Sequence, residues 1–254
     1  MARRAREKSK SGIYHIIMRG INRQVIFEEE EDKQKFLECL SHYKDICNYK
    51  IYGYCLMDTH IHLLIKESEE DIAAIMKRIS VRYAVWYNRK YDRCGHLFQD
   101  RFKSENVEDE AYLLAVLRYI HQNPLKATMV EDLGAYRESS YREFIDTAKI
   151  VDSEFILRHF SHDRSRAMQG FVRFMSESVE DEPRLEYREQ RKLKDEMVRK
   201  LIQEYAKVSS PIEIQAMNKS ERDELLRGIK KMDGVSTWQI ARLTGISQSV
   251  IARA

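Results

Sequence analysis

The chain has 254 residues, 43% hydrophobic and 33% charged. That is enough apolar material for one large domain or two small ones, and it excludes wholesale disorder. The 44 basic and 41 acidic side chains leave a net charge of only +3, so binding to a polyanion would depend on a local patch and not on the total.

In chain order, residues 12–18 (GIYHIIM) read as a short strand closed by Arg19-Gly20. Residues 32–49 place Phe36, Leu37, Leu40, Tyr43, Ile46 and Cys47 at helical spacing. Residues 50–57 (KIYGYCLM) and 60–65 (HIHLLI) form a strand pair across a tight turn at Asp58-Thr59. Ile72, Ile75, Met76, Ile79, Tyr83 and Trp86 mark a long amphipathic helix. Residues 98–107 read as a fourth strand, and 110–123 as a helix stopped by Pro124. This order predicts an α+β fold, a ferredoxin-like antiparallel sheet with helices on one face, and one extra helix after it.

After about residue 145 the texture changes. The acidic stretch 176–183 reads as a linker and 187–205 as a charged helix. Three short helices follow. Ser220-x-x-Asp223 opens the first, Ser236-x-x-Gln239 the second and Ser247 the third, with Gly245 at the turn. The expected plan is a first domain over 1–145, a helical linker over 146–190 and an all-α region over 191–254.

Cys39, Cys47, Cys55 and Cys94 form no CxxC pair, so neither a zinc knuckle nor a disulfide framework is expected. The charged N-terminus has no apolar run behind it, and no segment is long enough to span a membrane. A reducing bacterial cytoplasm is the expected location. Basic residues cluster at Arg3, Arg4, Arg6, Lys8 and Lys10, and again at Lys77, Arg78, Arg82, Arg89, Lys90 and Arg93. Each cluster is either a polyanion face or ordinary solvated surface.

Two pairs of residues point to chemistry. On a strand, His60 and His62 share a face, where they can hold one metal ion or flank one phosphate; the plain alternative is two surface histidines on an edge strand. On the later helix, Tyr119 and Asn123 stand one turn apart. Alone, the tyrosine reads as a core aromatic and the asparagine as a helix end. Together the four suggest phosphoryl transfer. A phenol is a weak nucleophile at neutral pH, but it can attack a phosphodiester whose oxygens are polarised by a divalent ion. Two imidazoles and an amide oxygen suit Mn²⁺ or Mg²⁺. The covalent product would conserve the bond energy for rejoining.

Four blocks carry a family resemblance: YHIIMRGINRQVIF (14–27), YCLMDTHIHLLI (54–65), GHLFQDRFKS (95–104) and LRYIHQNPLKA (117–127). Their order resembles the single-tyrosine HUH transposases, most of all the REP-associated branch. The resemblance covers residues 12–144. It implies a transposase-type endonuclease and strand transferase acting on single-stranded or hairpin DNA. It also implies a divalent metal and a 5′-phosphotyrosine. His60 and His62 match the HUH pair, Tyr119 the nucleophile and Asn123 the polar metal ligand. Sites of this kind are built within one protomer or by exchange of the tyrosine helix in a homodimer. The chain departs from the family pattern with Asp58-Thr59 before the first histidine, Phe98 in place of a tryptophan, and Leu125-Lys126-Ala127-Thr128 after the proline. A domesticated transposase that binds DNA as a regulator without cutting is the rival reading.

Among the remaining polar residues, His15 could touch DNA or help the site, but reads first as a satisfied sheet histidine. His121 points about 200° away from Tyr119 around the helix and is set aside. Arg101 and Lys103 could bind phosphate or simply be solvated. Residues 235–254 resemble a helix-turn-helix. Trp238, Ile240, Ala241, Leu243, Ile246, Val250 and Ile251 would form its core, and Ser247, Gln248, Ser249 and Arg253 would face the major groove.

Overall fold

The computed structural model describes residues 7–177, 193, 195–232 and 235–254. The chain divides into two compact units, Met1–Leu185 and Glu186–Ala254.

The first unit opens with β1 (Ile13–Arg19), α1 (Glu30–Cys47), β2 (Lys50–Met57), β3 (His60–Lys66), α2 (Ile72–Lys90), β4 (Lys103–Asn106) and α3 (Glu110–Lys126). The strands form one antiparallel sheet in the order β2-β3-β1-β4, the ferredoxin-like order predicted from the sequence. The fourth strand is shorter than 98–107. Phe98 keeps only an isolated bridge to Gly20, and regular pairing starts at Lys103. Polar residues at 99–101 lie between the two, on the edge of the sheet.

Strand alternation divides the side chains of the sheet into two sets. Ile61, Leu63 and Ile65 are fully buried on one face, with Tyr14, Ile16 and Met18 beside them. Met18 and Met76 of α2 line one cavity there, so this is the face of the two crossover helices. Helix α3, the extra one, lies on the other face. It comes close to β2 because residue 53 is glycine: a Cβ at Gly53 would overlap Leu117 Cδ1. A register shift between Ile51 and Gly53 bends the strand at the same place.

Pro124 does not end α3, which continues to Lys126. In the last turn a proline forfeits a single intrahelical donor. The end is closed beyond it by Ala127 N donating to Asn123 O (2.9 Å) and Met129 N to Pro124 O (3.0 Å).

The segment after α3 runs along β2, where Leu56 N donates to Glu138 O (2.9 Å) and Ser140 N to Tyr54 O (3.0 Å). Then α4 (Tyr141–Ile145), α5 (Ser153–Leu157) and α6 (Arg164–Ser176) complete the unit, with Phe171 buried against Phe144 and Tyr141. The helical stretch after residue 145 thus packs onto the sheet unit as far as Ser176. The predicted linker at 176–183 falls, from residue 178 on, outside the described residues.

The second unit holds α7 (Asp195–Ala206), a short turn of helix at Pro211–Ala216, α8 (Lys219–Ile229), α9 (Thr237–Thr244) and α10 (Gln248–Arg253). Val198, Ile202, Ile214, Leu226, Ile229, Ile240 and Ile251 form its core. The expected capping box at Ser236 and Gln239 is present, with reciprocal bonds of 3.2 and 3.1 Å. The box expected at Ser220 is not. The helix starts earlier, and Asn218 caps it by accepting from Glu221 N (3.0 Å). Gly245 takes φ +71°, a left-handed turn that favours glycine, between α9 and α10. Trp238 departs from the predicted core and is 73% exposed. Its neighbour two residues on, Ile240, is the side chain turned inward, and a helix turns about 200° between them. Among the described residues no helix is long and apolar enough to cross a membrane. Cys39, Cys47 and Cys55 are buried free thiols, as expected, and Cys94 is exposed.

Candidate active site

The site is assembled on the face of the sheet covered by α3. Cross-strand pairing sets three rows. His60 lies opposite Arg19 on β1 and Met57 on β2. His62 lies opposite Ile17 and Cys55, and Ile17 in turn opposite Lys103. His15 lies opposite Leu64 and Glu105. Because β3 is interior to the sheet, the edge-strand alternative for the two histidines falls away. His62 is only 2% exposed.

Each histidine is oriented through Nδ1. Thr59 Oγ1 lies 3.1 Å from His60 Nδ1, and His15 Nε2 lies 3.1 Å from His62 Nδ1. Nε2 is the ring nitrogen left outside these bonds in both. The two rings stand edge to face, with centroids 5.1 Å apart. Burial lowers the pKa of His60 to about 4, with help from the positive charge of Arg19 and against Asp58. His62 is held well below the ordinary histidine value, first by burial and then by its neighbours His15 and His60. Both rings are therefore neutral at neutral pH. They are suited to donate lone pairs to a metal ion, and poorly suited to pair as cations with a phosphate.

Helix α3 brings Tyr119 to the same place. Its ring packs edge-on to His62 at 5.5 Å and to His15 at 5.9 Å. Tyrosine and histidines of a single chain thus meet. Asn123, one turn on, is drawn onto its own helix: Nδ2 donates to Tyr119 O (2.8 Å), leaving Oδ1 outside that bond. Two neutral imidazole nitrogens and an amide oxygen are donor types of the kind that suit Mn²⁺ or Mg²⁺. Among the described residues no group of three or more His, Cys, Asp or Glu is arranged to hold a metal.

Other expectations distribute differently. Lys103 is exposed on β4, in the His62 row, while Arg101 is exposed before the strand. The second basic cluster is largely engaged. Lys90 pairs with Glu29, Glu31 and Asp32, and Arg78 with Glu70. Arg93 donates to Gln24 Oε1 at 2.8 Å. Of the first cluster, Arg3, Arg4 and Arg6 lie outside the described residues. In the second unit Ser247, Ser249 and Arg253 are exposed at α10, and Gln248 Nε2 reaches Thr237 Oγ1 (3.2 Å). His121 is fully buried away from the site, with Nε2 on Ser140 Oγ (2.8 Å).

Two further side chains stand at the site. His15 is wholly buried between His62 and Tyr119. Lys126 places its ammonium 5.1 Å from the centre of the Tyr119 ring. The seven-residue spacing of Tyr119 and Lys126, two helical turns, is the signal that could have found the second.

Residues 8–123 match the family model described as "Transposase IS200 like". The matched stretch contains His60, His62, Tyr119 and Asn123. In fold the chain is similar to the solved structure of the REP-associated tyrosine transposase bound to a REP hairpin. The TM-score is 0.50 and the identity 16%, over 57% of this chain and 86% of that one. No curated protein matches the chain.

Proposed function

We propose that the chain cleaves and rejoins single-stranded DNA through a 5′-phosphotyrosine at Tyr119. The observation that carries this reading is the packing of the Tyr119 ring on the neutral His62 ring, 5.5 Å away and on the sheet face that also presents His60. Tyr119 oxygen attacks phosphorus, the P–O3′ bond breaks, and the phenol proton leaves to water. The 5′ phosphate stays on the tyrosine and the departing strand takes up a proton as its 3′-hydroxyl. Attack by another 3′-hydroxyl reverses the step and joins the strands. His60, His62 and Asn123 would hold a divalent ion, which when bound polarises the phosphate oxygens. Lys126, over the phenol ring, offsets negative charge on its oxygen. Lys103 and Arg101 would track the DNA backbone. The glycine turn between α9 and α10 supports a helix-turn-helix whose Ser247, Gln248, Ser249 and Arg253 read a duplex or hairpin stem. The similar structure, solved with a REP hairpin, supports a hairpin-bearing substrate.

The test is incubation with labelled hairpin-tailed single-stranded DNA and Mn²⁺. A protein–DNA adduct that survives denaturant is expected from the wild type and not from Tyr119→Phe. Cleavage without an adduct, or an adduct in Tyr119→Phe, overturns the nucleophile. Duplex binding with no cleavage of any single strand would instead establish the regulator.

A further inference from the structure

We propose that His15 and Glu105 are positioning residues that hold His62 in the tautomer and orientation needed to bind metal. The inference rests on the reading of His62 as a ligand. His15 comes from β1 and Glu105 from β4, directly opposite it in the sheet. His15 Nε2 lies 3.1 Å from His62 Nδ1, and His15 Nδ1 lies 3.7 Å from Glu105 Oε2. The two imidazoles are stacked, with ring planes 21° apart.

One arrangement of protons suits all of these contacts. The Glu105 carboxylate lies beyond hydrogen-bond distance of His15 Nδ1, but within ion-pair range, and its negative charge favours the proton of His15 on that nitrogen. His15 Nε2 is then an acceptor, and His62 must donate Nδ1–H to it. That leaves the His62 lone pair on Nε2, the nitrogen outside the bond. A carboxylate–histidine–histidine series of this kind makes the terminal ring a better electron donor and fixes its plane. His15 is fully buried within the sheet, so its position is set by packing before any ion arrives. Thr59 orients His60 from the hairpin turn. The two rings are thus supported from different elements, His62 through an imidazole that lies 3.7 Å from a carboxylate.

The test is Mn²⁺ binding to the full chain, read from the electron paramagnetic resonance of the free ion, with no DNA and no turnover. His15→Phe should weaken binding roughly 10- to 100-fold, the usual effect of losing such an outer partner. His15→Gln, whose side-chain carbonyl can accept from His62 Nδ1, should restore most of the affinity. Glu105→Ala, at the partly exposed end, should show a smaller loss in the same direction. It carries the test should His15→Phe not fold. Nitrogen-15 spectra of the metal-free protein should show His62 as the Nδ1–H tautomer. The positioning role is overturned if His62→Ala loses Mn²⁺ while His15→Phe and Glu105→Ala bind like wild type, or if His62 is the Nε2–H tautomer. Absence of Mn²⁺ binding in the wild type, or wild-type binding by His62→Ala, overturns the ligand reading and this inference with it.

Discussion

Two buried histidines of the first unit, His62 and His121, show how similar burial leads to different roles. His62 uses Nδ1 for a bond within the protein and keeps Nε2 on the face where Tyr119 packs. His121 uses Nε2, on Ser140 Oγ, and is enclosed by Tyr141, Phe144 and Phe171. Its Nδ1 is buried without a hydrogen-bond partner. Burial drives both pKa values down. Depth and protonation therefore do not distinguish ligand from core residue; the nitrogen left over, and what faces it, do.

The comparison breaks if the two residues respond alike to substitution. His62→Ala should abolish cleavage, by at least about 10³-fold, at every metal concentration, and lose Mn²⁺ binding with it. His121→Ala should do the reverse. It should retain Mn²⁺ binding and lower stability by about 2–4 kcal/mol, because it opens a cavity in an aromatic cluster. Denaturant titration beside the Mn²⁺ measurement checks both.

Acid sharpens the contrast on the stability side. His121 has a pKa lowered to about 3 in the fold, against 6.5 ordinarily. Between these values the unfolded chain binds the proton and the native state does not. Its contribution is therefore complete above pH about 6.5 and is lost as the pH falls toward 3. Chemical denaturation at a series of pH values should show this slope, and His121→Gln should flatten part of it.

The smallest effects are expected at the surface. Lys103→Ala should weaken single-stranded DNA binding a few-fold and reduce the salt dependence by roughly one counterion's worth. Arg101→Ala should act in the same direction. Wild-type affinity at both low and high salt in both variants would remove them from the DNA path.

Much of this site is legible in the sequence because it follows local periods. A spacing of two places His60 and His62 on one strand face, and a spacing of four aligns Tyr119 with Asn123. The same geometry correctly turned His121 away. His15 stands out in the sequence only as a sheet histidine that could help the site, because its contacts depend on the register of β1 against β3 and β4, a non-local pairing that no window of the chain contains. Pro124 misled because its penalty depends on its place in the turn, and Trp238 because an aromatic residue in a short helix was assigned to the core by type and not by angle. The asparagine remains a matter of which atom it offers. Its Nδ2 is spent on the helix, which is what leaves Oδ1 for a ligand.

The central claim is that a single phenol on α3 takes the phosphate. The most direct measurement is mass-spectrometric mapping of the adduct formed with hairpin-tailed single-stranded DNA and Mn²⁺. The account predicts one modified peptide, with a nucleotide 5′ phosphate on Tyr119 and a free 3′-hydroxyl on the released strand. A phosphate on any other residue, or a linkage through the 3′ end, would contradict it.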